Sequence, residues 1–157
     1  MEFIRHKAEF DGCLESVEAT PKKLEDTLFS ENPLAFVLLA ELDQKPIGFA
    51  TYHRIYSTFL AKPGIWLDDL YVIAEYRSNR VGEALIRYLC QIGQEIGCGR
   101  IDWTVAATNA RAIKFYERMG AKLMQRTRLC RLNSEAIAKC AYPLPSIKLG
   151  ERSNIDW

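Results

Sequence analysis

One stretch, residues 65–85, limits the folds open to this chain because its pattern predicts a strand, a basic turn and a helix in direct succession. Residues 65–73 are apolar and β-branched or aromatic at most positions, which is typical of a strand buried on both faces. The turn at 77–82 carries two arginines, and apolar residues then recur on one face of a helix over 81–96. Such a turn directs free backbone N–H groups and the positive helix end at one point, which favours a phosphate or pyrophosphate.

The rest of the chain predicts a mixed α/β domain around this unit. Helices are predicted at residues 1–10, 21–29, 81–97, 109–119 and 134–140. Strands are predicted at residues 35–42, 47–55, 65–73 and 101–105, with one or two more within 123–132. Thr20, Asn109 and Ser134 are the expected N-caps. We expect one domain over 1–140 and a tail over 141–157 without a periodic pattern.

Composition excludes several classes of function. The net charge is +1, so no global field attracts nucleic acid or an anionic membrane. No apolar run approaches the roughly 20 residues of a membrane span, and the N-terminus lacks a signal-peptide pattern. The five cysteines form no Cys-x-x-Cys pair and have no metal spacing. We therefore expect a cytoplasmic protein with reduced thiols, no metal site, and no nucleic-acid or membrane partner.

The basic turn and a second motif further along the chain resemble those of a known family. Arg77-Ser78-Asn79-Arg80-Val81-Gly82 resembles the (Gln/Arg)-x-x-Gly-x-(Gly/Ala) pyrophosphate loop of the GNAT acetyltransferase superfamily, with Arg80 in place of the middle glycine. Residues 109–121 are similar to that superfamily's Asn-x-x-Ala-x-x-x-Tyr-x-x-x-Gly-(Phe/Ala) helix. Within the superfamily, residues 48–50, 67–72 and 115–121 resemble the spermidine/spermine (diamine) acetyltransferase branch. The resemblance covers roughly residues 8–140.

The resemblance implies a GNAT-like fold, with a mixed, mostly antiparallel sheet and helices on both faces. The central strand, 65–73, and the next strand, 100–107, would splay apart and admit the pantetheine arm of acetyl-CoA. The family's usual first strand has no counterpart before the helix at 1–10, so that strand is absent or the true start lies upstream. The sheet edge would then be exposed or covered by a partner subunit, and we expect a homodimer.

The resemblance also implies acetyl-CoA as cosubstrate and assigns its contacts. Backbone groups of Leu70, Tyr71 and Val72 would contact it, with the Val72 N–H as oxyanion donor. The phosphate loop would comprise Arg77, Ser78, Asn79, Arg80, Val81, Gly82 and Glu83. Asn109 would reach the pantetheine arm, with Ala112 in the same motif. From the residues alone, the loop could instead be a solvated basic turn, and Asn109 a plain N-cap.

Tyr116 and Asp68 are the expected catalytic residues. Tyr116 occupies the position of the family's tyrosine, and a phenol with an ordinary pKa of about 10 could protonate the leaving thiolate. The alternative for Tyr116 is simple packing against the sheet. Asp68 would bind a cationic amine or accept its proton through water. Because adjacent strand residues point to opposite faces, only one of Asp68 and Asp69 is expected to face the site.

Phe10 and Asp11, after Glu9, resemble the aromatic–acid pair that the diamine branch places beside its polyamine, and with Asp68 they form the expected substrate site. His6 and His53 have no partner pattern and are assigned surface or packing roles.

The sequence thus predicts an N-acetyltransferase that moves an acetyl group from acetyl-CoA to a small cationic amine, a polyamine or lysine analogue, by direct transfer in a ternary complex. The alternatives are a protein N-terminal or lysine acetyltransferase and a non-catalytic acyl-CoA-binding regulatory module. The turn lacks the Gly-Lys-(Ser/Thr) of a nucleotide triphosphatase and the paired glycines of a dinucleotide site.

Overall fold

The computed structural model describes residues 1–141, which fall into two compact units, 1–121 and the segment from Lys122 onward. The first unit contains α1 (Glu2–Asp11), α2 (Pro21–Leu28), β1 (Phe36–Leu42), β2 (Lys45–Ser57), β3 (Lys62–Val72), α3 (Val81–Glu95), β4 (Ile101–Asp102) and α4 (Ala110–Arg118). Two short 3-10 helices lie at Leu14–Ser16 and Ala74–Tyr76. The second unit contains α5 (Ser134–Cys140). Among these elements, none is a helix long and apolar enough to cross a membrane.

The four strands form one mixed sheet in the order β1-β2-β3-β4. The first three strands are antiparallel, and β4 runs parallel to β3. The β1–β2 hairpin turns at Asp43 and Gln44, whose φ angles of 49° and 62° suit the two-residue turns that match strand twist. The mixed, mostly antiparallel sheet predicted from the sequence is confirmed.

Helices cover both faces of this sheet. On one face α3 buries Leu85, Ile86 and Leu89 against the inward side chains of β2 and β3, namely Ala50, Tyr52, Ile65 and Leu67. On the other face, the Phe3 ring of α1 stacks 5.4 Å from the Phe49 ring. The alternation of β2 explains the division, because Phe49 and Ala50 point to opposite sides.

Strands β3 and β4 separate soon after they meet. They pair only at Ile65–Ile101 and Trp66–Asp102, yet β3 continues to Val72. The predicted splay is therefore confirmed, although β4 is much shorter than the predicted strand at 100–107. The chain leaves the sheet after Asp102, and the Trp103 ring packs against Tyr116 of α4, with ring centroids 5.0 Å apart. We call the gap beside residues 67–72 of β3 the slot.

The second unit differs from the sequence prediction. Residues 123–132 contain no strand, although their apolar residues alternate. A strand needs a neighbour to satisfy its backbone groups, and the described residues give this segment none. Helix α5 forms as predicted, but Asn133 is its N-cap, since Asn133 Oδ1 accepts from Ala136 N at 2.9 Å. The predicted tail at 142–157 lies outside the described residues.

Candidate active site

A β-bulge in β3 shapes the site. Thr51 of β2 pairs with Asp69, whereas the next residue, Tyr52, pairs with Leu67. Asp68 is therefore an extra residue without a partner on β2. A bulge of this kind interrupts the alternation of side chains and re-aims those beside it.

The Asp69 carboxylate lies on the face covered by α1. Its Oδ2 accepts a hydrogen bond from Thr51 Oγ1 at 3.1 Å, and its Oδ1 is 3.8 Å from Lys7 Nζ on α1. Lys7 also forms an ion pair with Asp11, one turn further along the same helix. One lysine thus stands between two carboxylates, one from the helix and one from the sheet.

The Asp68 carboxylate is held by two side chains of the same face. Its Oδ1 accepts from Trp66 Nε1 at 2.9 Å, and its Oδ2 is 3.0 Å from His53 Nδ1. His53 lies two residues beyond Thr51 on β2, and therefore on the α1 face. Regular alternation would send Asp68 and Asp69 to opposite faces, but the bulge places both on the α1 face.

The turn before α3 has an unusual backbone. Ser78 and Arg80 both have positive φ angles, 69° and 62°. Within residues 1–141, no backbone acceptor takes the N–H of Ser78, Asn79 or Arg80. The first N–H groups of α3 follow directly and are also free by the geometry of a helix start. Successive free N–H groups in such a turn form an anion-binding concavity.

The arginines of this turn are engaged with the protein itself. Arg77 donates from Nε to the Val72 carbonyl oxygen at 2.9 Å. Its guanidinium carbon lies 4.7 Å from the centre of the Phe10 ring and 5.3 Å from that of Tyr71. Arg77 therefore links the end of β3 to the end of α1.

Arg80 faces the first turn of α3. It makes two hydrogen bonds to the Glu83 carboxylate, at 3.0 and 2.8 Å, and Arg87 Nε makes a third at 2.8 Å. The hydrogen bonds from Arg80 and then Arg87 lower the pKa of Glu83 to about 2. The hydrogen bond to Glu83 in turn raises the pKa of Arg80. Nearby, Arg111 donates to Ser78 Oγ at 3.2 Å.

Tyr116 lies on α4, which begins as the sequence predicts. Asn109 caps the helix, with its Oδ1 accepting from Ala112 N at 3.0 Å. The Tyr116 ring is half-buried between Trp103 and Phe115, at centroid distances of 5.0 and 5.1 Å. Burial raises the pKa of the Tyr116 phenol above its ordinary value. The side chain therefore both packs and stays protonated at neutral pH.

The structure thus brings predicted site residues together in two places. Phe10 and Asp11 share the α1 face with Asp68 and Asp69, and the free N–H groups of the turn follow the end of β3. The contact between His53 and Asp68 was not predicted from the sequence. Its only signal was the place of His53 on the strand beside Asp68, and the bulge that sets their register is not visible in the sequence. Among residues 1–141, no group of three or more His, Cys, Asp or Glu side chains has the arrangement of a metal site.

Comparison with known proteins finds a family match over most of the chain. The family described as Acetyltransferase (GNAT) family matches residues 4–121. Mouse thialysine N-epsilon-acetyltransferase is 29% identical over 130 residues, which cover 78% of this chain and 76% of that protein. The L-ornithine N5-acetyltransferase of Arabidopsis thaliana is 37% identical over 90 residues, 57% of this chain, and the match spans only 40% of that protein's length.

Solved structures give the same fold. An integron cassette protein from the mobile metagenome of V. cholerae superimposes with a TM-score of 0.75 at 27% identity, covering 90% of this chain and 88% of that one. A probable acetyltransferase superimposes with a TM-score of 0.70, also at 27% identity, covering 82% and 85%.

Proposed function

The chain belongs to the GNAT acetyltransferase family, and from that premise we propose that it transfers an acetyl group from acetyl-CoA to a small cationic amine. The observation that carries the proposal is the bulge in β3, which sets two carboxylates on one face of the strand that borders the slot. The names of the thialysine and ornithine relatives support an acceptor with an amine beside a second charged group.

The proposed acetyl-CoA site runs from the slot to the turn before α3. The free N–H groups from Ser78 to Glu83 would hold the pyrophosphate, with the helix dipole of α3 adding positive potential. The unpaired edge of β3 would hold the pantetheine arm through backbone groups of Leu70 and Val72, whereas the backbone groups of Tyr71 face β2. On α4, Asn109 and Ala112 would complete the cofactor contacts.

Val72 is the proposed oxyanion donor. The N–H of the next residue, Ile73, donates to the Ile47 carbonyl oxygen on β2 at 3.0 Å. Successive N–H groups of a strand point to opposite edges, so the Val72 N–H points away from β2 and toward the slot. It would stabilise the negative charge that develops on the acetyl oxygen during attack.

The proposed acceptor site lies on the α1 face. Asp68 and Asp69 come from β3, and Asp11 and the Phe10 ring come from α1. Lys7 already shows that an ammonium group fits between Asp11 and Asp69. A cationic substrate would use the same carboxylates, so that its charge directs the reacting amine to the acetyl group.

Tyr116 is the proposed proton donor to the leaving thiolate. Burial raises the pKa of its phenol above the ordinary value of 10.0, so the phenol carries its proton at neutral pH. Transfer would be direct, within a ternary complex of enzyme, acetyl-CoA and amine. We also propose that the enzyme is a homodimer, because β1 lies at an edge of the sheet and exposes Leu39 and Leu42.

The test is detection of acetylated product by mass spectrometry. Purified protein and acetyl-CoA are mixed with a panel of ornithine, thialysine, spermidine and short peptides, and acetyl-CoA binding is measured separately by calorimetry. We expect product on the small cationic amines. Product on peptides alone would favour a protein acetyltransferase, and binding of acetyl-CoA without any product would favour a non-catalytic acyl-CoA-binding module.

A further inference from the structure

We infer that His53 is the general base of the acetyl transfer and that Asp68 holds it in position. The inference rests on the proposed function, since it concerns the proton that a cationic amine must lose before it attacks. It is carried by the hydrogen bonds on the α1 face of the sheet, where His53 of β2 meets Asp68 at the bulge of β3.

The hydrogen-bond partners fix the tautomer of the ring. An aspartate carboxylate can only accept hydrogen bonds, so the 3.0 Å contact from His53 Nδ1 to Asp68 Oδ2 requires a proton on Nδ1. Trp66 donates from Nε1 to the other carboxylate oxygen at 2.9 Å, which keeps the carboxylate from turning away. The neutral ring therefore carries its free lone pair on Nε2.

That nitrogen is available to a substrate. Within residues 1–141, the only hydrogen bond of the His53 ring is the one through Nδ1. The His53 side chain is 36% exposed and that of Asp68 46% exposed, so an amine can reach the pair without a rearrangement of the sheet. Histidine is the side chain that most often serves as a general base, because a neutral imidazole offers a free lone pair to a proton.

The charged neighbours favour the same arrangement. Asp69 lies on the same face of β3, where Lys7 of α1 approaches it at 3.8 Å. Arg54, the residue after His53, points to the opposite face, with its guanidinium 5.5 Å from the centre of the Phe36 ring. The charge that faces the imidazole most directly is therefore the Asp68 carboxylate, which stabilises the imidazolium formed when the ring takes a proton.

The proton balance of the step is complete. Because His53 faces Trp66 whereas Val72 faces Gly48, the ammonium of the acceptor gives one proton to His53 Nε2 through bridging water. The freed lone pair of its nitrogen forms the new C–N bond to the acetyl carbonyl carbon. The C–S bond of acetyl-CoA breaks, and the thiolate takes the phenol proton of Tyr116. The second proton lost by the amine nitrogen restores the phenol. The imidazolium then releases its proton to solvent, so each turnover yields one proton.

The first experiment is steady-state kinetics of wild type and His53→Asn with an amine found by the product panel, from pH 5.5 to 9.5. The asparagine amide preserves a donor to Asp68 but cannot take a proton. We expect kcat to fall by about 10²–10³-fold, the KM for acetyl-CoA to change by less than about 2-fold, and the acidic limb of the pH profile to disappear. His6→Gln, which removes the chain's other histidine, is the matched control and should keep the wild-type profile.

Two further variants separate catalysis from a structural role. In His53→Ala, added imidazole should restore at least a tenth of wild-type kcat, which it would not do if His53 only packed against β3. Asp68→Asn should keep partial activity, with a kcat between those of wild type and His53→Asn, as expected of a residue that positions the base. An unchanged kcat and pH profile in His53→Asn, or a loss that imidazole does not restore, would overturn the inference.

A readout without turnover distinguishes failure of this inference from failure of the proposed function. In ¹⁵N-labelled protein, NMR of the two histidine rings, assigned with His6→Gln, should show His53 protonated at Nδ1, and Asp68→Asn should perturb that signal. A wild type that acetylates no amine would refute the proposed function even if this tautomer is found. A His53 ring protonated at Nε2 would overturn the inference in an active enzyme.

Discussion

At the scale of single residues, Tyr116 combines two roles that its environment makes compatible, because the rings that pack it also keep its phenol neutral. Tyr116→Phe should lower kcat by about 10²-fold or more, with the acetyl-CoA dissociation constant within about 2-fold of wild type. Kinetics and calorimetry on the same preparations would check both values. Tyr88→Phe, on the exposed side of α3, is the matched control. If kcat were undiminished in Tyr116→Phe, the role of the Tyr116 ring would be packing and not proton donation.

The same phenol makes stability depend on pH in the alkaline range. Burial raises the pKa of Tyr116, and also that of Tyr52, above the ordinary value of 10.0. The unfolded chain therefore loses these protons at lower pH than the folded chain, so the folded state binds more protons above pH 10. The free energy of unfolding should hold its full contribution from these groups below pH 10 and fall as pH rises further.

Urea unfolding of wild type and Tyr116→Phe at pH 9 and pH 10.5 would measure this effect. The decline should be smaller in Tyr116→Phe, and a residual decline should remain because Tyr52 is still present. Equal declines in the two proteins would contradict a raised pKa at Tyr116.

Arg80 shows how a backbone conformation can persist without its usual residue. The family's loop has glycine where this chain has Arg80, and the structure keeps a left-handed backbone there, with φ at 62°. Arg80→Gly should leave the free energy of unfolding close to the wild-type value, since relief of backbone strain offsets the lost chain stiffness and the loss of the exposed hydrogen bonds to Glu83. Arg80→Val should cost at least about 1–2 kcal/mol, because a β-branched residue is strained at positive φ. Urea unfolding of the pair would decide, and a stable Arg80→Val protein would show that the turn can relax.

At the scale of elements, local patterns were sufficient for some predictions and not for others. The hairpin, α3 and the caps at Thr20 and Asn109 follow from neighbours in the sequence, and the structure has them all. The bulge at Asp68 depends on how β2 and β3 align, which no local pattern records. For the same reason the sequence could not show that His53 meets Asp68, or that β4 would stop at Asp102.

The bulge itself can be removed by deleting Asp68. Leu67 and Asp69 would then be neighbours in the chain, still paired with Tyr52 and Thr51, so the pairing of β2 with β3 would become regular. All the remaining side chains of β3 would stay on their present faces. We expect a folded protein that still binds acetyl-CoA but has at least about 10²-fold lower kcat. Circular dichroism, calorimetry and kinetics would test this.

Asp68→Gly is the matched control for the deletion, since it removes the carboxylate but keeps the extra residue. Similar kcat values in the two variants would assign the loss to the carboxylate, and a lower value in the deletion would assign part of it to the bulge. A deletion variant that acetylates amines as fast as wild type would contradict a functional bulge.

At the scale of the whole molecule, the open edge of β1 is the strongest reason to expect association. An edge strand offers unpaired backbone groups to a second chain, and β1 bears Leu39 and Leu42, which are 54% and 49% exposed. Sedimentation equilibrium should give twice the 18.0 kDa mass of one chain. Leu39→Lys should shift the protein to monomer, because an edge lysine opposes strand pairing.

Phe59→Lys is the control for this change, since Phe59 is 99% exposed in the β2–β3 turn, away from the β1 edge. A dimer that persists in Leu39→Lys but dissociates in Phe59→Lys would move the interface to that turn. A wild type that sediments as a monomer at every concentration would refute the homodimer. If Leu39→Lys is monomeric and keeps the wild-type kcat, the catalytic groups of one chain are sufficient, as expected from a site whose proposed residues all lie between Phe10 and Tyr116 of a single unit.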